Sequence, residues 1–404
     1  MKMIDGGVCA AKGFRAAAIH CGIKAGSAKD DLAVIVSDSE CTAAATYTMN
    51  RVKAAPLYLT MEHLENGTAK AIIANSGNAN ACAPDGPENA QRMAAALSKT
   101  LGLAEDSIVV ASTGVIGQRL PVECIEEHIA EVAPLLSRDG SKAAAEAIMT
   151  TDTKRKCCAV EFEIGGKTCR LGGIAKGSGM IHPNMGTMLS FVTTDCAITT
   201  EMLHEALQEN VKKTYNRVSV DGDTSTNDMC VVLANGKAEN ELIEWKNEDY
   251  EIFYEALNMV NTTLAKSIAG DGEGASRLIT VTVHGSRSEE AAERLAKSVA
   301  ASSLVKAAMF GADANWGRVL CAMGYSKAPF RPEYVDVKFK SKEGEILVCT
   351  KGAGVDFDEE AAKKILLADE VTIDIDVNEG DAEVTAWGCD LTYDYVKING
   401  DYRT

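Results

Sequence analysis

A polar, glycine-rich stretch that runs directly into a threonine is the part of the sequence best suited to chemistry. Residues 176–191 read KGSGMIHPNMGTMLSF, so Thr187 stands between a loop and an apolar run typical of a strand. Pro183 restricts the loop, whereas Gly186 can adopt backbone angles that other residues avoid. The pattern predicts that Thr187 lies at the tip of a strand, rigid on one side and mobile on the other.

A threonine in this position could cleave the chain on its own amino side. Its hydroxyl would attack the Gly186 carbonyl, the chain would shift from nitrogen to oxygen, and water would release the ester. Thr187 would then carry a free α-amine, whose ordinary pKa of about 7.7–8.0 suits a base near neutral pH. Because a hydroxyl alone is a weak nucleophile, this amine would supply the missing base. Taken alone, however, the local pattern favours a substrate-binding loop with a structural threonine, which is common at strand starts.

Other catalytic and cofactor motifs are either absent from the sequence or lie in the wrong structural context. The run GDGEGAS at 270–276 follows a helix pattern and precedes a strand pattern, the reverse of what a dinucleotide loop needs. The sequence has no phosphate-loop or His-Glu-x-x-His pattern, and its six histidines lack metal-ligand spacing. His182 lies in the loop that precedes Thr187 (residues 176–186, called the reactive loop below), where a histidine is more often a polar filler than a catalyst. We therefore expect no metal and no organic cofactor.

Composition narrows the class of protein and its partners. The 404 residues, 46% of them hydrophobic, predict a globular chain of two or three domains. A net charge of −17 argues against nucleic acid as a partner. The 13 cysteines contain no Cys-x-x-Cys pair, which is typical of a reduced cytoplasmic protein. The sequence shows neither a signal peptide nor an apolar run of about 18 residues, so we expect no membrane span.

Strand-like and helix-like segments alternate, which predicts an α/β or α+β fold. A β-hairpin is expected around the two-residue turn Gly165–Gly166. Other strands are expected at 32–38, 69–77, 107–114, 187–195 and in RLITVTVHG. Helices are expected in ENAQRMAAALSKTLG up to Gly102, TEMLHEALQENVKKTY, EDYEIFYEALNMVNTTLAKSIAG closed by Gly270, SEEAAERLAKSVAASSLVKAAMF and DEEAAKKILLA.

The reactive loop resembles the processing motif of the ornithine acetyltransferase family, also called the bifunctional glutamate N-acetyltransferase family. That motif has alanine where Gly186 stands here, and a small residue is retained. The resemblance covers nearly the whole chain, in family order. The further segments that carry it are NSGNANAC (75–82), ASTGVIG (111–117), TTDT (150–153), DGEG (271–274), GADANWG (311–317) and YVKINGDYRT (395–404).

The resemblance implies a layered αββα sandwich of the self-processing, N-terminal-nucleophile type. Residues 1–186 would form an α chain that ends at the cleavage site between Gly186 and Thr187. Residues 187–404 would form a β chain whose C-terminal tail docks into the cleft. The resemblance also implies a heterotetramer of two α and two β chains.

The same resemblance implies an activity in arginine biosynthesis and a role for each site residue. Thr187 would take the acetyl group from N-acetylornithine, release ornithine and pass the acetyl group to glutamate in a ping-pong reaction. Thr113 and Gly114 would form the oxyanion hole. The resemblance leaves open whether acetyl-CoA is also a donor. The implied substrate contacts are Thr153, Lys176, Thr187, Glu273, Asn399 and Thr404.

Two other interpretations compete with this one. An autoprocessed aminopeptidase or amidase of the same fold would resolve the acyl-enzyme with water instead of glutamate. A non-catalytic small-molecule binding protein would keep its glycine-rich loops in one uncut chain.

Overall fold

The computed structural model describes residues 1–24, 26–182 and 188–400. The first strands and helices, up to the hairpin, alternate as the sequence pattern indicates. The strands in this part are β1 (Lys2–Ile4), β2 (Phe14–Ile19), β3 (Leu32–Tyr47), β4 (Thr68–Asn75), β5 (Ile108–Ser112), β6 (Lys156–Ile164) and β7 (Lys167–Lys176). The helices in this part are α1 (Ala55–His63), α2 (Gly86–Leu101), α3 (Val122–His128), α4 (Val132–Leu135) and α5 (Ser141–Ala147).

The remainder of the described chain contains longer helices and a second set of strands. The strands are β8 (Leu189–Thr194), β9 (Val218–Ser219), β10 (Met229–Ala234), β11 (Leu278–Ser286), β12 (Asp336–Ser341), β13 (Gly344–Thr350), β14 (Ala353–Gly354), β15 (Glu370–Asp376) and β16 (Ala382–Cys389). The helices are α6 (Thr200–Lys213), α7 (Glu248–Gly270), α8 (Glu289–Ala301), α9 (Ser303–Phe310), α10 (Trp316–Gly324), α11 (Glu359–Leu366) and α12 (Tyr393–Gly400).

The larger sheet combines strands from both sides of position 186. Among the described residues it has nine strands in the order β1-β6-β7-β8-β10-β3-β4-β5, with β2 also paired to β3. The neighbours β7 and β8 are antiparallel, β8 and β10 are parallel, and β4 and β5 are parallel. Strands that follow position 186 therefore lie in the middle of a sheet whose other strands precede it.

The long strand β3 divides this sheet into two layers. Its first half pairs with β2 and β4, its second half pairs with β10, and the register with β4 is irregular between Val36 and Cys41. Apolar side chains of the two halves meet in one core, which includes Ile35, Ile72, Val109, Phe191 and Val231. The two halves therefore face each other like the layers of a sandwich.

Helices cover the outer faces of both layers. Leu207 of α6 and Leu257 and Leu264 of α7 share a core with the face of β6, β7, β8 and β10 that points away from the other layer. Met93 and Leu97 of α2 share another core with the outer faces of β3, β4 and β5. The arrangement is an αββα sandwich, which confirms the fold class expected from the sequence.

A second sheet forms most of the C-terminal part. Among the described residues it has seven strands in the order β14-β13-β12-β15-β11-β16-β9. Its own core includes Val281, Leu295, Phe339 and Ile373. The two-residue strand β9 pairs with β16, and it lies between α6 and β10 in the sequence. The chain between β9 and β10 thus connects the second sheet to the sandwich.

Several details of the sequence reading are confirmed. Helix α2 ends before Gly102, whose φ of 66° is the left-handed conformation of a glycine cap. Strands β6 and β7 form a hairpin that turns at Gly165 and Gly166, both with positive φ. A helix precedes the run at 270–276 and a strand follows it, so that run is no dinucleotide loop.

Other details of the reading were wrong. The expected single helix from 288 to 310 breaks at Ser302, because the Ser302 side chain caps a new helix by accepting the Val305 N–H. Helix α7 does end at Gly270, but Asp271 caps it and Gly270 does not take a left-handed conformation. Helix α10, which includes part of GADANWG, was missed. By contrast, the strand expected at 187–195 is present as β8, whose described residues run from Leu189 to Thr194.

Three features of the described residues bear on the class of protein. No helix there has the length and apolar character that crossing a bilayer requires. No group of three His, Cys, Asp or Glu side chains there is arranged to hold a metal ion. All 13 cysteines lie in the described ranges and have free thiols.

Candidate active site

A small cleft lies where β5 and β7 end and β8 and β10 begin. Lys176, the last residue of β7, pairs with Leu189, the first residue of β8, and Leu189 also pairs with Met229 of β10. The cleft holds about 110 Å³, below the roughly 300–1,000 Å³ of sites for drug-sized ligands. It is lined by Thr113, Gly114, Ile116, Thr150, Thr151, Lys176, Gly179, Met180, Ser225, Thr226, Asn227, Glu273 and Asn399.

The turn that follows β5 is held in a shape that requires glycine. Gly114 has a φ of +136°, and a side chain there would collide with the backbone of Gly77 and Asn78. The Thr113 N–H donates to the Asn75 carbonyl at 3.0 Å. The Asn75 side chain in turn donates to the Asn78 carbonyl at 2.9 Å. The motif NSGNANAC therefore serves to fix the Thr113–Gly114 turn.

This turn presents two donors that suit an oxyanion. Within the described residues, no acceptor takes the Gly114 backbone N–H. The Thr113 Oγ1 accepts a hydrogen bond from Lys176 Nζ at 3.3 Å, which leaves the hydroxyl hydrogen free to donate into the cleft. A backbone N–H and a hydroxyl held in this way can stabilise negative charge that develops on a substrate carbonyl.

Lys176 is a buried cation beside these donors. Lys176 is 8% exposed, and no carboxylate of the described residues lies within 4 Å of its ammonium nitrogen. Burial lowers the pKa of Lys176, and the more distant charges of Asp152, Asp228 and Glu273 counteract this effect. A buried ammonium that lacks an ion pair is suited to bind a carboxylate of a ligand.

A buried ion network supports the cleft from behind. Lys156 Nζ lies 2.7 Å from Asp152 Oδ1 and 2.6 Å from Asp271 Oδ2. Asp152 Oδ1 also accepts the Gly177 N–H at 2.7 Å, directly after Lys176. Burial alone would raise the pKa of Asp152, but Lys176 and Lys156 lower it to about 2. The network joins the segment before β6 to the end of α7.

Thr153 belongs to this network rather than to the cleft wall. Its backbone N–H donates to Asp271 Oδ2 at 3.1 Å, and its hydroxyl donates to Asp271 Oδ1. Its neighbours Thr150 and Thr151 line the cleft instead. In the described structure the Thr153 hydroxyl is thus occupied by Asp271.

The C-terminal helix α12 reaches the opposite wall of the cleft. Asn399 Nδ2 donates to Glu273 Oε2 at 2.7 Å. Glu273 is 7% exposed, and its carboxylate lies so close to Gly179 that any side chain at 179 would collide with it. The Glu273 N–H donates to the Ser178 carbonyl at 3.1 Å, which ties it to the loop after Lys176.

The described part of the reactive loop is anchored by the segment after β9. The Asp221 carboxylate accepts the Met180 and Ile181 N–H groups at 2.6 and 2.8 Å. The Thr224 hydroxyl donates to the His182 carbonyl at 2.8 Å. The His182 ring contacts Ser219 Oγ at 3.0 Å and lines a different surface cleft, between α6 and α8. Burial lowers the pKa of His182.

The structure thus brings together five of the residues singled out in the sequence and places a sixth beside them. Thr113, Gly114, Lys176, Glu273 and Asn399 line one cleft. Thr153 lies behind the cleft. Gly186, Thr187 and Thr404 lie outside the described residues.

Sequence reasoning missed four charged residues that support the cleft: Asp152, Lys156, Asp228 and Asp271. One of them is conspicuous in the sequence, because Asp228 directly precedes the apolar run MCVVLA. Asp228 is 2% exposed, and burial raises its pKa well above the ordinary value, although Lys176 and hydrogen bonds oppose this shift. A charged residue at a buried strand end is a reason to suspect a site.

Comparison with known proteins gives consistent matches along the chain. The family model described as ArgJ family matches residues 15–404. The chain is 52% identical over 392 residues to arginine biosynthesis bifunctional protein ArgJ 1 of Clostridium acetobutylicum, covering 97% of this chain and 96% of that protein. It is 49% identical over 405 residues to arginine biosynthesis bifunctional protein ArgJ of Caldanaerobacter subterraneus subsp. tengcongensis, covering 100% of both.

Two solved structures are also similar to part of this chain. The crystal structure of arginine biosynthesis bifunctional protein ArgJ from Bacillus halodurans matches at 47% identity with a TM-score of 0.51, covering 54% of this chain and 100% of that chain. An ornithine acetyltransferase from Mycobacterium tuberculosis, solved in complex with ornithine, is 36% identical with a TM-score of 0.42, covering 45% of this chain and 98% of that chain.

Proposed function

Since the chain belongs to the ArgJ family, we propose that it transfers an acetyl group from N-acetylornithine to glutamate in arginine biosynthesis. The products are ornithine and N-acetylglutamate, and the acetyl group is carried as an ester of Thr187. The observation that carries the proposal is the Thr113–Gly114 turn beside the buried Lys176. These groups meet at the sheet edge where β8 begins, two residues after Thr187.

The first half-reaction moves the acetyl group onto the enzyme. The Thr187 hydroxyl oxygen attacks the amide carbonyl of N-acetylornithine, and the α-amine of Thr187 accepts the hydroxyl proton. Thr113 and Gly114 donate hydrogen bonds to the oxyanion of the tetrahedral intermediate. The bond from carbonyl carbon to nitrogen then breaks, and the proton passes to the amine of the departing ornithine.

The second half-reaction moves the acetyl group onto glutamate. The glutamate amine attacks the ester carbonyl of acetyl-Thr187, and the same two donors hold the oxyanion. The ester bond breaks, a proton from the attacking amine passes to the threonine oxygen, and N-acetylglutamate leaves. Because both substrates carry an α-carboxylate, one cation serves both half-reactions, and Lys176 is the buried cation in place to bind it.

Glu273 distinguishes the two substrates in this proposal. Its carboxylate lies in the cleft wall and accepts a hydrogen bond from Asn399. A carboxylate there attracts the side-chain ammonium of ornithine and has no such attraction for the side chain of glutamate. Thr153 acts through Asp271, and Thr404 is proposed as a further substrate contact.

The chain cleaves itself between Gly186 and Thr187 in this proposal, giving an α chain of residues 1–186 and a β chain of residues 187–404. Strands β7 and β8, from the two products, pair along six positions, and Lys156 of one product bridges to Asp271 of the other. These contacts favour a complex that survives cleavage and assembles into a heterotetramer. The solved Bacillus halodurans chain, matched over its full length, covers 54% of this chain. Residues 187–404 make up the same share.

The descriptions of the relatives suggest a second acetyl donor. The curated relatives are described as bifunctional, and we propose that acetyl-CoA also acylates Thr187. The purified enzyme, supplied with acetyl-CoA and glutamate but without N-acetylornithine, should then form N-acetylglutamate. An enzyme that uses N-acetylornithine only would be monofunctional.

Replacement of the nucleophile tests the main proposal. Thr187→Ala should give one uncut chain of 42.8 kDa with no transferase activity, whereas Thr187→Ser keeps a hydroxyl and should retain some cleavage and transfer. A Thr187→Ala chain that is still cut at this bond, or that still transfers acetyl groups, contradicts the mechanism. Release of free acetate instead of N-acetylglutamate from the wild type would indicate the competing amidase.

A further inference from the structure

A second cleft, much larger than the candidate active site, lies between α6 and α8 and is called the α6–α8 cleft below. It holds about 850 Å³, within the range of roughly 300–1,000 Å³ that is typical of ligand sites. Its walls come from the last turns of α6, from α8 and from residues 325–327, which follow α10. The reaction described above does not use this cleft.

The charge of the α6–α8 cleft is opposite in sign to that of the chain. The whole chain carries a net charge of −17. Among the described residues that line the cleft, six cations stand against four carboxylates, which leaves +2 with His182 counted as neutral. The cations are Lys212, Lys213, Arg217, Arg294, Lys297 and Lys327, and the carboxylates are Glu209, Glu289, Glu290 and Glu293.

Most of the carboxylates in this cleft have a cationic partner, whereas most of the cations are unpaired. The ion pairs are Glu290 with Arg294 at 2.7 Å, Glu293 with Arg217 at 3.7 Å, and Glu209 with Lys246, outside the cleft, at 3.2 Å. No carboxylate of the described residues lies within 4 Å of the ammonium groups of Lys212, Lys213, Lys297 and Lys327. The unpaired charges of the cleft are therefore four lysines and one carboxylate, which favours an anionic ligand.

Two of the cations are partly removed from water. The Arg217 side chain is 12% exposed, and its Nε is buried without a hydrogen-bond partner among the described residues. Burial lowers the pKa of Lys297, Glu293 counteracts this effect, and Arg217 adds to it. A partly buried cation with unused donors binds an anion more strongly than an exposed lysine does. Arg217 and Lys297 are therefore the strongest anion-binding groups of the cleft.

The α6–α8 cleft and the candidate active site share one short segment of the reactive loop. Met180 lines the active-site cleft, and His182 lines the α6–α8 cleft. Their Cα atoms are two peptide units apart along the chain, hence at most about 7.6 Å from each other. The active-site cleft, at about 110 Å³, is too small for a nucleotide. An acetyl donor that carries a nucleotide must therefore bind mostly outside it.

The chemistry of acetyl-CoA matches the larger cleft. Its phosphate groups are multiply charged anions, which lysine and arginine side chains bind in proteins. Its adenine ring can stack on an aromatic side chain, and Tyr325, which is 58% exposed, lines the cleft. Its acetyl group is joined to the nucleotide by a long, flexible arm, so the two ends can occupy neighbouring clefts.

We propose that the α6–α8 cleft binds the nucleotide end of acetyl-CoA, with its phosphate groups on Lys297, Arg217 and Lys213 and its adenine ring on Tyr325. The thioester end then reaches the active-site cleft. There the Thr187 hydroxyl attacks the thioester carbonyl, the carbon–sulfur bond breaks, and CoA leaves as its thiol with the hydroxyl proton. The inference rests on the proposed function, because it assigns a site to the second acetyl donor proposed above.

Lys297→Gln in the full chain tests the inference, with Lys363→Gln as the matched control. Lys363 lies in α11, outside the cleft, and like Lys297 has no carboxylate of the described residues within 4 Å. Binding of CoA is measured by titration calorimetry, and KM is measured with acetyl-CoA and with N-acetylornithine. The affinity for CoA should fall about tenfold in Lys297→Gln, the effect of one charge-assisted contact. The KM for acetyl-CoA should rise by a similar factor.

The other readings of the same variants should stay constant. Lys363→Gln should bind CoA within about twofold of wild type, and both variants should keep the wild-type kcat and KM with N-acetylornithine. S-acetyl-N-acetylcysteamine, a thioester without phosphate groups, should acylate Lys297→Gln as fast as wild type. If Lys297→Gln does not fold, Lys213→Gln at an exposed position of the same cleft gives the reading, with the same tenfold loss expected.

Several results would overturn the inference. These are a wild-type enzyme that does not bind CoA, wild-type affinity for CoA in the cleft variant, or an equal loss in Lys363→Gln. A cleft variant that loses as much activity with the phosphate-free thioester as with acetyl-CoA would also overturn it. Inorganic pyrophosphate or ATP that binds as tightly as CoA would indicate a general phosphate site and would contradict the assignment to CoA.

A failure of the inference can be told apart from a failure of the proposed function. A wild-type enzyme that uses both donors, with a cleft variant that matches it on both, removes only the inference. A wild-type enzyme that uses N-acetylornithine but neither binds nor uses acetyl-CoA removes the second donor and the inference together. An enzyme that transfers acetyl groups from neither donor removes the proposed function itself.

Discussion

Removal of the Thr113 hydroxyl should slow acetyl transfer strongly while leaving substrate binding largely intact. Thr113→Val keeps the shape of the side chain and the backbone hydrogen bond from Thr113 to Asn75. It removes the one donor that Lys176 orients toward the cleft. A single donor of this kind contributes about 2.7–4 kcal/mol to the transition state in acyl-transfer enzymes. The expected loss is therefore about 10²–10³-fold in kcat, with KM changed by less than about threefold.

The same substitution has a predictable cost in stability, which serves as an internal check. Lys176 loses its hydrogen-bond acceptor at a buried position, at a cost of about 1–3 kcal/mol in the free energy of unfolding. The measurements are steady-state kinetics with N-acetylornithine and glutamate, and denaturant unfolding of the same preparations. Thr113→Ser keeps the hydroxyl and should remain within about tenfold of the wild-type kcat, since it loses only a methyl group. A Thr113→Val enzyme with kcat within threefold of wild type would refute the oxyanion role.

Three further predictions concern the network and the tail. Lys156→Met leaves Asp152 and Asp271 without their buried cation. Urea titrations should show a loss of about 3–5 kcal/mol in the free energy of unfolding. A change below about 1 kcal/mol would contradict the stabilising role of the ion network. Because the pKa of Asp152 in the folded protein, about 2, lies below its unfolded value of about 3.9, its stabilisation is present above pH 4 and lost as the pH falls toward 2. The stability advantage of wild type over Asp152→Asn should accordingly shrink by about 2 kcal/mol between pH 5 and pH 2, and a constant difference would refute this linkage. Deletion of residues 399–404 removes the Asn399 contact to Glu273 but no buried side chain of α12. The KM for N-acetylornithine should therefore rise while the melting temperature stays within a few degrees of wild type. An unchanged KM would contradict the docked-tail proposal.

The fold was predictable where local signals agreed with tertiary contacts. The hairpin of β6 and β7 follows from its two glycines, and the end of α2 follows from Gly102, because positive φ at these positions is a local property. The break at Ser302 was not predictable from helix propensity alone. The apolar pattern continues through Ser302, and the side-chain cap that starts α9 decides where the new helix begins.

The candidate site was predictable only in part from the residues themselves. Family resemblance pointed to Thr113, Gly114, Lys176, Glu273 and Asn399, and the structure brings them into one cleft. The ion network that supports them could not be read from the chain, because its two halves lie 115 residues apart in sequence and meet only through the packing of α7 on β6. Its charged members look like solvated side chains until the fold buries them.

The most direct test of the account is the intact mass of the purified, active protein before and after a short exposure to N-acetylornithine. The account predicts two fragments, residues 1–186 and 187–404, instead of one chain of 42.8 kDa. It also predicts that the fragment beginning at Thr187 alone gains the mass of one acetyl group and loses it again when glutamate is added. An active preparation that remains a single chain, or an acetyl group that appears on any other residue, would contradict it.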